Sequence, residues 1–218
     1  ESVQYQPSPL VKATLRPYQI EGVQWLLEHY NNGLGACLAD DMGLGKTLQT
    51  LSTLVAVQEK LEVEKAENIQ LDLFGNEIPV AKEYLKALIV LPSSLVFNWY
   101  NEARKFTPHF RRIQYVGQDR KLLSKKLAKY DLIFTSYAVV ARDFSILEKY
   151  QFRYLILDES QYIKNKNSKI FKAINQLQTT HKISLSGTPI ENSLDDLWSQ
   201  MQFINPNILG SYAFFAEH

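Results

Sequence analysis

The chain has 218 residues, 45% of them hydrophobic, with 24 Lys+Arg against 23 Asp+Glu. That is enough apolar material for one substantial α/β domain and too little for two. The near-cancelling charge neither calls for nor rules out a nucleic-acid partner, which only local clustering could reveal. A single cysteine, Cys37, excludes an intrachain disulfide and reads as a small core residue. No stretch has the length of a membrane span, and the polar N-terminus lacks a signal-peptide core. The expectation is a soluble intracellular protein, cytoplasmic in a bacterium and nuclear in a eukaryote, with chain ends that could be boundaries of a longer sequence.

After a proline-bearing start, Arg16-Pro17-Tyr18-Gln19 opens a helical pattern with Ile20, Val23, Leu27 and Tyr30 on one face, stopped at Asn31-Asn32-Gly33. An apolar run, Ala36-Cys37-Leu38-Ala39, then feeds glycines at Gly43 and Gly45, Lys46-Thr47, and a second helix with Leu48, Leu51, Leu54 and Val55 as its stripe. From about 58 to 83 the periodicity fails, and a surface insertion is expected there. Regular alternation resumes with strands expected at 87–91, 112–116, 132–135, 154–158 and 182–186. Helices are expected at 94–106, 118–129, 137–149, 168–176 and 193–203. Near-continuous apolar strands alternating with helices predict a doubly wound parallel sheet covered on both faces, a three-layer α/β domain.

Two segments carry chemistry. The strand, glycine-bearing turn, Lys46-Thr47 and helix form the layout of a phosphate-binding loop, although Asp40 stands where the general pattern has its first glycine. Glycines allow several backbone N–H groups to converge on one anion, and the helix start adds more, with the positive end of its dipole. Lys46 would reach the terminal phosphates, and Thr47 would offer a hydroxyl to Mg2+. The second segment, Tyr154-Leu155-Ile156-Leu157-Asp158-Glu159, reads as a buried parallel strand tipped by two acids. In an open α/β sheet ligands bind beyond the carboxyl ends of strands, so both segments should face one crevice. Asp158 would hold the metal and Glu159 would polarise an attacking water.

These segments stand in one order with three others: Leu15-Arg16-Pro17-Tyr18-Gln19, Pro92-Ser93-Ser94-Leu95 with Asn98-Trp99, and Ser186-Gly187-Thr188-Pro189-Ile190-Glu191-Asn192. Ile163-Lys164-Asn165 follows the acid pair. Together they resemble the N-terminal RecA-like lobe of the Swi/Snf-type DNA-dependent ATPases of helicase superfamily two. The resemblance implies a RecA-like P-loop NTPase domain, with Gln19 reading the adenine ring and ATP with Mg2+ as the ligand. It implies nucleotide contacts at Gln19, Asp41, Met42, Gly43, Leu44, Gly45, Lys46, Thr47 and Leu48, metal binding at Thr47 and Asp158, and catalysis at Lys46, Asp158 and Glu159. Gln161, Ser186 and Thr188 would couple the ATP site to a nucleic-acid track. Pro92, Ser93, Asn98, Thr135 and Ser136 would touch the phosphate backbone of double-stranded DNA without reading sequence.

Several positions depart from the family pattern. Ser160 and Gln161 replace an alanine and a histidine, Ser186 replaces a threonine, and Asp41 replaces a glutamate. No segment resembles the second RecA-like lobe, which in this family supplies arginine fingers worth on the order of 10³–10⁵ in rate. The expectation is therefore a single lobe that is nearly inactive alone and needs a second one. A lobe of a strand-separating helicase and a non-hydrolysing docking module are the alternatives. Trp25, Trp99 and Trp198 are assigned to packing, Lys121, Lys125, Lys126 and Lys129 to a solvated face, and the four histidines to no metal.

Overall fold

The computed structural model describes residues 4–39, 45–67, 84–163, 165, 167–186 and 194–206. Its strands are β1 (Ala36–Leu38), β2 (Ala87–Leu91), β3 (Arg112–Gln114), β4 (Leu132–Ser136), β5 (Phe152–Leu157) and β6 (Thr179–Leu185). They form one sheet in the order β1-β6-β5-β2-β4-β3, with every pairing parallel. All carboxyl ends therefore share one edge. The helices are α1 (Pro17–Asn31), α2 (Lys46–Glu67), α3 (Val96–Phe106), α4 (Arg120–Leu123), α5 (Tyr137–Arg142), α6 (Phe144–Leu147), α7 (Lys169–Gln176) and α8 (Leu194–Ile204).

Period-two alternation splits the strand side chains between two cores. Ala87, Ile89, Leu91, Phe134, Tyr154 and Ile156 join residues of α1, α2 and α3 on one face. Leu88, Val90, Ile133, Leu155 and Leu157 join residues of α5 and α7 on the other. Central β2 and β4 are buried at every position, whereas edge strand β3 is half-buried at two of its three. This is the three-layer, doubly wound sheet that the apolar runs predict. Among the described residues no helix is long and apolar enough to cross a membrane.

Three expected elements differ. The second helix does not fail at Gln58; α2 continues to Glu67. Its last turns are polar but carry i,i+4 partners, with Gln58 Nε2 donating to Glu62 Oε1 at 3.0 Å and Lys60 lying 4.0 Å from Glu64. Residues 68–83 lie outside the described residues. The helix expected at 118–129 is a short α4 followed by a 3₁₀ segment, Ser124–Lys129. The helix expected at 137–149 breaks into α5 and α6 at Asp143, whose backbone leaves the helical region (φ −104°, ψ 22°). The cause is long-range: the Asp143 carboxylate is gripped by Arg120 at 2.7 and 2.9 Å and by the Tyr115 hydroxyl at 3.1 Å.

Candidate nucleotide site and nucleic-acid groove

At the carboxyl edge, β6 lies between β1 and β5, so the phosphate-loop strand and the acid-tipped strand are one strand apart. Ser186 N donates to Leu38 O at 3.2 Å, which aligns the ends of β1 and β6. Beyond β1, Asp41, Met42, Gly43 and Leu44 lie outside the described residues. Gly45 precedes α2 with φ +81°, and a Cβ built there would sit 2.3 Å from Gln19 Nε2. Only glycine satisfies both the backbone and the close approach. Gln19 is itself buried, and its Oε1 accepts from Arg16 N at 2.9 Å as part of the box that starts α1. The glutamine expected to read adenine thus lies directly against Gly45. Lys46, Thr47 and Leu48 form the first turn of α2, where the positive end of the helix dipole favours an anion.

Across β6, Asp158 is 7% exposed. Its Oδ2 accepts from the Trp99 indole Nε1 at 2.9 Å, and its Oδ1 accepts from Glu159 N at 3.0 Å. Burial pushes its carboxyl pKa up, and the Glu159 charge adds to this, while the Trp99 and Glu159 hydrogen bonds and the Lys46 charge pull the other way. Lys46 and Asp158 are therefore close enough to feel each other's charge. Glu159 sits at φ +50°, a left-handed conformation uncommon for a residue with a side chain. Its Oε2 accepts from Gln161 Nε2 at 2.5 Å, and Ser186 Oγ lies 3.4 Å from Gln161 Oε1. Gln161 therefore bridges the acid pair to the end of β6. Thr188 lies outside the described residues.

The residues expected to touch nucleic acid divide. Pro92, Ser93 and Ser94, following β2, line a cavity of about 340 Å³ with Leu91, Tyr137, Ala138 and Ile170. Asn98 is exposed on α3 beside them in sequence. Thr135 and Ser136 are different. Thr135 is fully buried with its hydroxyl donating to Tyr115 O at 2.8 Å, and Ser136 is buried with its hydroxyl accepting from Val139 N at 3.4 Å to cap α5. Both hydroxyls thus make hydrogen bonds inside the domain. A larger cavity of about 560 Å³, lined among others by Tyr5, Gln24, Tyr30 and Lys60, contains none of the motif residues.

Sequence reasoning missed three members of the site. Trp99, assigned to packing, is buried as expected but also binds Asp158. Glu102 is a further acid of the cluster: burial raises its pKa, a hydrogen bond with Thr47 and the Lys105 charge lower it, and the Asp158 charge raises it. Tyr137 donates its hydroxyl to Asp158 O at 2.6 Å. The i,i+3 spacing of Trp99 and Glu102 puts them on one helix face, a signal that the sequence does carry.

A parallel sheet with a lysine-bearing helix start and an acid pair, its Asp158 buried, at its carboxyl edge defines a RecA-like P-loop ATPase lobe. The chain belongs to the SNF2-related family, whose domain model (SNF2-related domain) matches residues 18–218. It is 41% identical, with a TM-score of 0.79, to a solved structure described as the Sulfolobus solfataricus SWI2/SNF2 ATPase core in complex with dsDNA, the match covering 99% of this chain and 40% of that one. It is 37% identical to the TATA-binding protein-associated factor MOT1 of Saccharomyces cerevisiae, over 95% of this chain and 11% of that protein. It is 35% identical to the chromatin-remodeling ATPase INO80 of Candida albicans, over 97% of this chain and 15% of that protein. The chain thus spans only a small part of these relatives.

Proposed function

We propose that the chain is the ATP-binding lobe of an ATP-dependent double-stranded DNA translocase that remodels DNA–protein complexes inside the cell. The observation that carries this reading is that Lys46, following the loop after β1, and Asp158, at the end of β5, lie at one carboxyl edge with only β6 between their strands, and that Gln19 packs against Gly45. The start of α2 and Lys46 would hold the triphosphate, and Gln19 would face the adenine. The donor set suits Mg2+: Thr47 brings a hydroxyl, and half-buried Glu102 and buried Asp158 bring carboxyls held above their ordinary range, a state that a bound cation relieves. Mg2+ commonly takes one or two protein carboxylates together with substrate phosphates. When bound, it supplies charge neutralisation across the triphosphate. Glu159, oriented by Gln161, would position and polarise the attacking water.

The groove of Pro92, Ser93, Ser94 and Ala138, with exposed Asn98 nearby, would track the phosphate backbone of duplex DNA through hydroxyls, amides and backbone N–H groups, giving sequence-independent contact. Buried Thr135 and Ser136 would shape the floor of that groove from within. A second RecA-like lobe would close the cleft and supply the arginine fingers, so this lobe alone, as a monomer, should bind ATP weakly and hydrolyse it very slowly. The test compares hydrolysis by the parent protein with duplex DNA, single-stranded DNA or RNA. Duplex DNA is expected to stimulate most. Stimulation by RNA or single strands alone would shift the reading to a strand-separating helicase, and DNA-stimulated turnover by the lone 218-residue chain would contradict the need for a second lobe.

A further inference from the structure

Asp158 is held from two sides by rings, one on the helix that follows the groove's Ser93–Leu95 turn and one lining the groove itself. Trp99 follows Asn98 on α3, just beyond the Ser93–Leu95 turn, and its Nε1 bonds the carboxylate. Tyr137 opens α5, lines the groove with Pro92 and Ser93, and bonds the Asp158 carbonyl. The two tethers grip different things. Trp99 aims the Asp158 carboxylate itself. Tyr137 holds the peptide plane between Asp158 and Glu159, whose other end is the N–H that bonds Asp158 Oδ1. That plane leads straight into the left-handed backbone of Glu159, so its tilt decides where the Glu159 side chain leaves the sheet edge.

Both rings are almost completely enclosed, Trp99 at 4% and Tyr137 at 2% exposure. Close-packed rings cannot swing independently, so a shift of the start of α3 or α5 must be passed to the bonded atom or break the bond. Hydrogen bonds lose strength steeply with misalignment, which makes a small movement of either helix start consequential.

We propose that Trp99 and Tyr137 are positioning residues through which duplex DNA in the Pro92–Tyr137 groove sets the geometry of the Asp158–Glu159 pair, and with it the affinity for Mg·ATP. This rests on the nucleotide and DNA reading given above. It assigns the link between the two sites to two named bonds rather than to the domain at large. Such a link is reciprocal: whatever factor DNA imposes on nucleotide affinity, nucleotide imposes on DNA affinity.

The experiment measures that factor directly. The 218-residue chain is titrated with a fluorescent, non-hydrolysable ATP analogue and Mg2+, with and without saturating duplex DNA. Wild type should show at least about a five-fold change in analogue affinity, the lower end of usual coupling strengths. Tyr137→Phe keeps its ring and Trp99→Phe keeps a smaller aromatic ring; each removes one donor, and in both the factor should fall toward one. Trp25→Phe, a partly exposed position on α1, should leave the factor at its wild-type value. Tyr137→Phe deletes a single oxygen, so it remains informative should Trp99→Phe melt early. A wild-type factor retained in both variants overturns the proposal, as does a factor of one in wild type. A wild-type chain that binds neither ligand overturns the underlying functional reading as well.

Discussion

Asp143 and Asp158 are both buried aspartates, at 2% and 7% exposure, and they are buried in opposite ways. Asp143, at the α5–α6 junction, is met by the Arg120 guanidinium at two points and by the Tyr115 hydroxyl. The hydrogen bond from Arg120 holds its carboxyl below the ordinary range despite burial. Burial and the neighbouring Asp143 push Tyr115 up to about 12, so the hydroxyl stays a donor. Among the described residues Asp158 receives neutral donors, Trp99 and the Glu159 N–H, and keeps the acids Glu159 and Glu102 for company. Burial raises its carboxyl, and the Lys46 charge at the start of α2 pulls the other way. A buried acid that already owns its cation is part of the scaffold. One crowded by other acids has a charge still to be matched, and that marks a site.

Mutating the scaffold acid should produce the largest change. Asp143→Ala leaves Arg120 buried without its counterion, at a cost of about 3–5 kcal/mol. For a domain of this size that lowers the melting midpoint by roughly 10 °C. Calorimetry checks this, and affinity for the ATP analogue at low temperature should hardly move. A loss below about 1 kcal/mol would mean the pair is not the clamp described. Asp158→Asn should do the reverse. Hydrolysis by the parent protein should fall on the order of 10²–10³-fold, the scale of losing one charged group that acts on the reacting phosphate. The melting midpoint of the chain should hold or rise, because a carboxyl with a raised pKa is a burden on the fold. A large drop in stability would place Asp158 with the scaffold instead.

The smallest effect concerns His181, which packs against Tyr30 and Tyr154 with ring centroids 4.2 and 5.4 Å away and whose Nδ1 has no hydrogen-bond partner. Burial, with the Arg153 charge adding to it, lowers its pKa to about 4. Between an unfolded value of about 6.5 and the folded value, the unfolded chain binds a proton that the native chain does not. Stability should therefore decline as pH falls through that window and level off below it. In His181→Phe this part of the profile should flatten, as read by denaturant titration at several pH values. A wild-type profile already flat from pH 6.5 to 4 would show that His181 is not buried neutral.

How much of this the sequence reveals depends on the range of the cause. Strands β2, β4 and β5 are legible because burial on both faces demands unbroken apolar runs, and the runs are there. The end of α2 is not, because its last turns are held by polar i,i+4 pairs and leave no apolar stripe. The break at Asp143 depends on Arg120, and no local pattern announces a partner on another element. Trp99 looks like a core residue because it is one; its second task depends on Asp158, far along the chain. Thr135 offers a hydroxyl in a motif, and only the fold reveals that it points at the Tyr115 carbonyl.

The central claim is that Lys46 and Asp158 grip one Mg·ATP, and a binding cycle tests it. Affinity for a fluorescent ATP analogue with Mg2+ is measured for wild type, Lys46→Ala, Asp158→Asn and the double variant. If both residues hold the same metal–triphosphate, each single change weakens binding and the double variant is far less impaired than the summed losses require. Unchanged affinity in either single variant, or losses that simply add, would contradict the account.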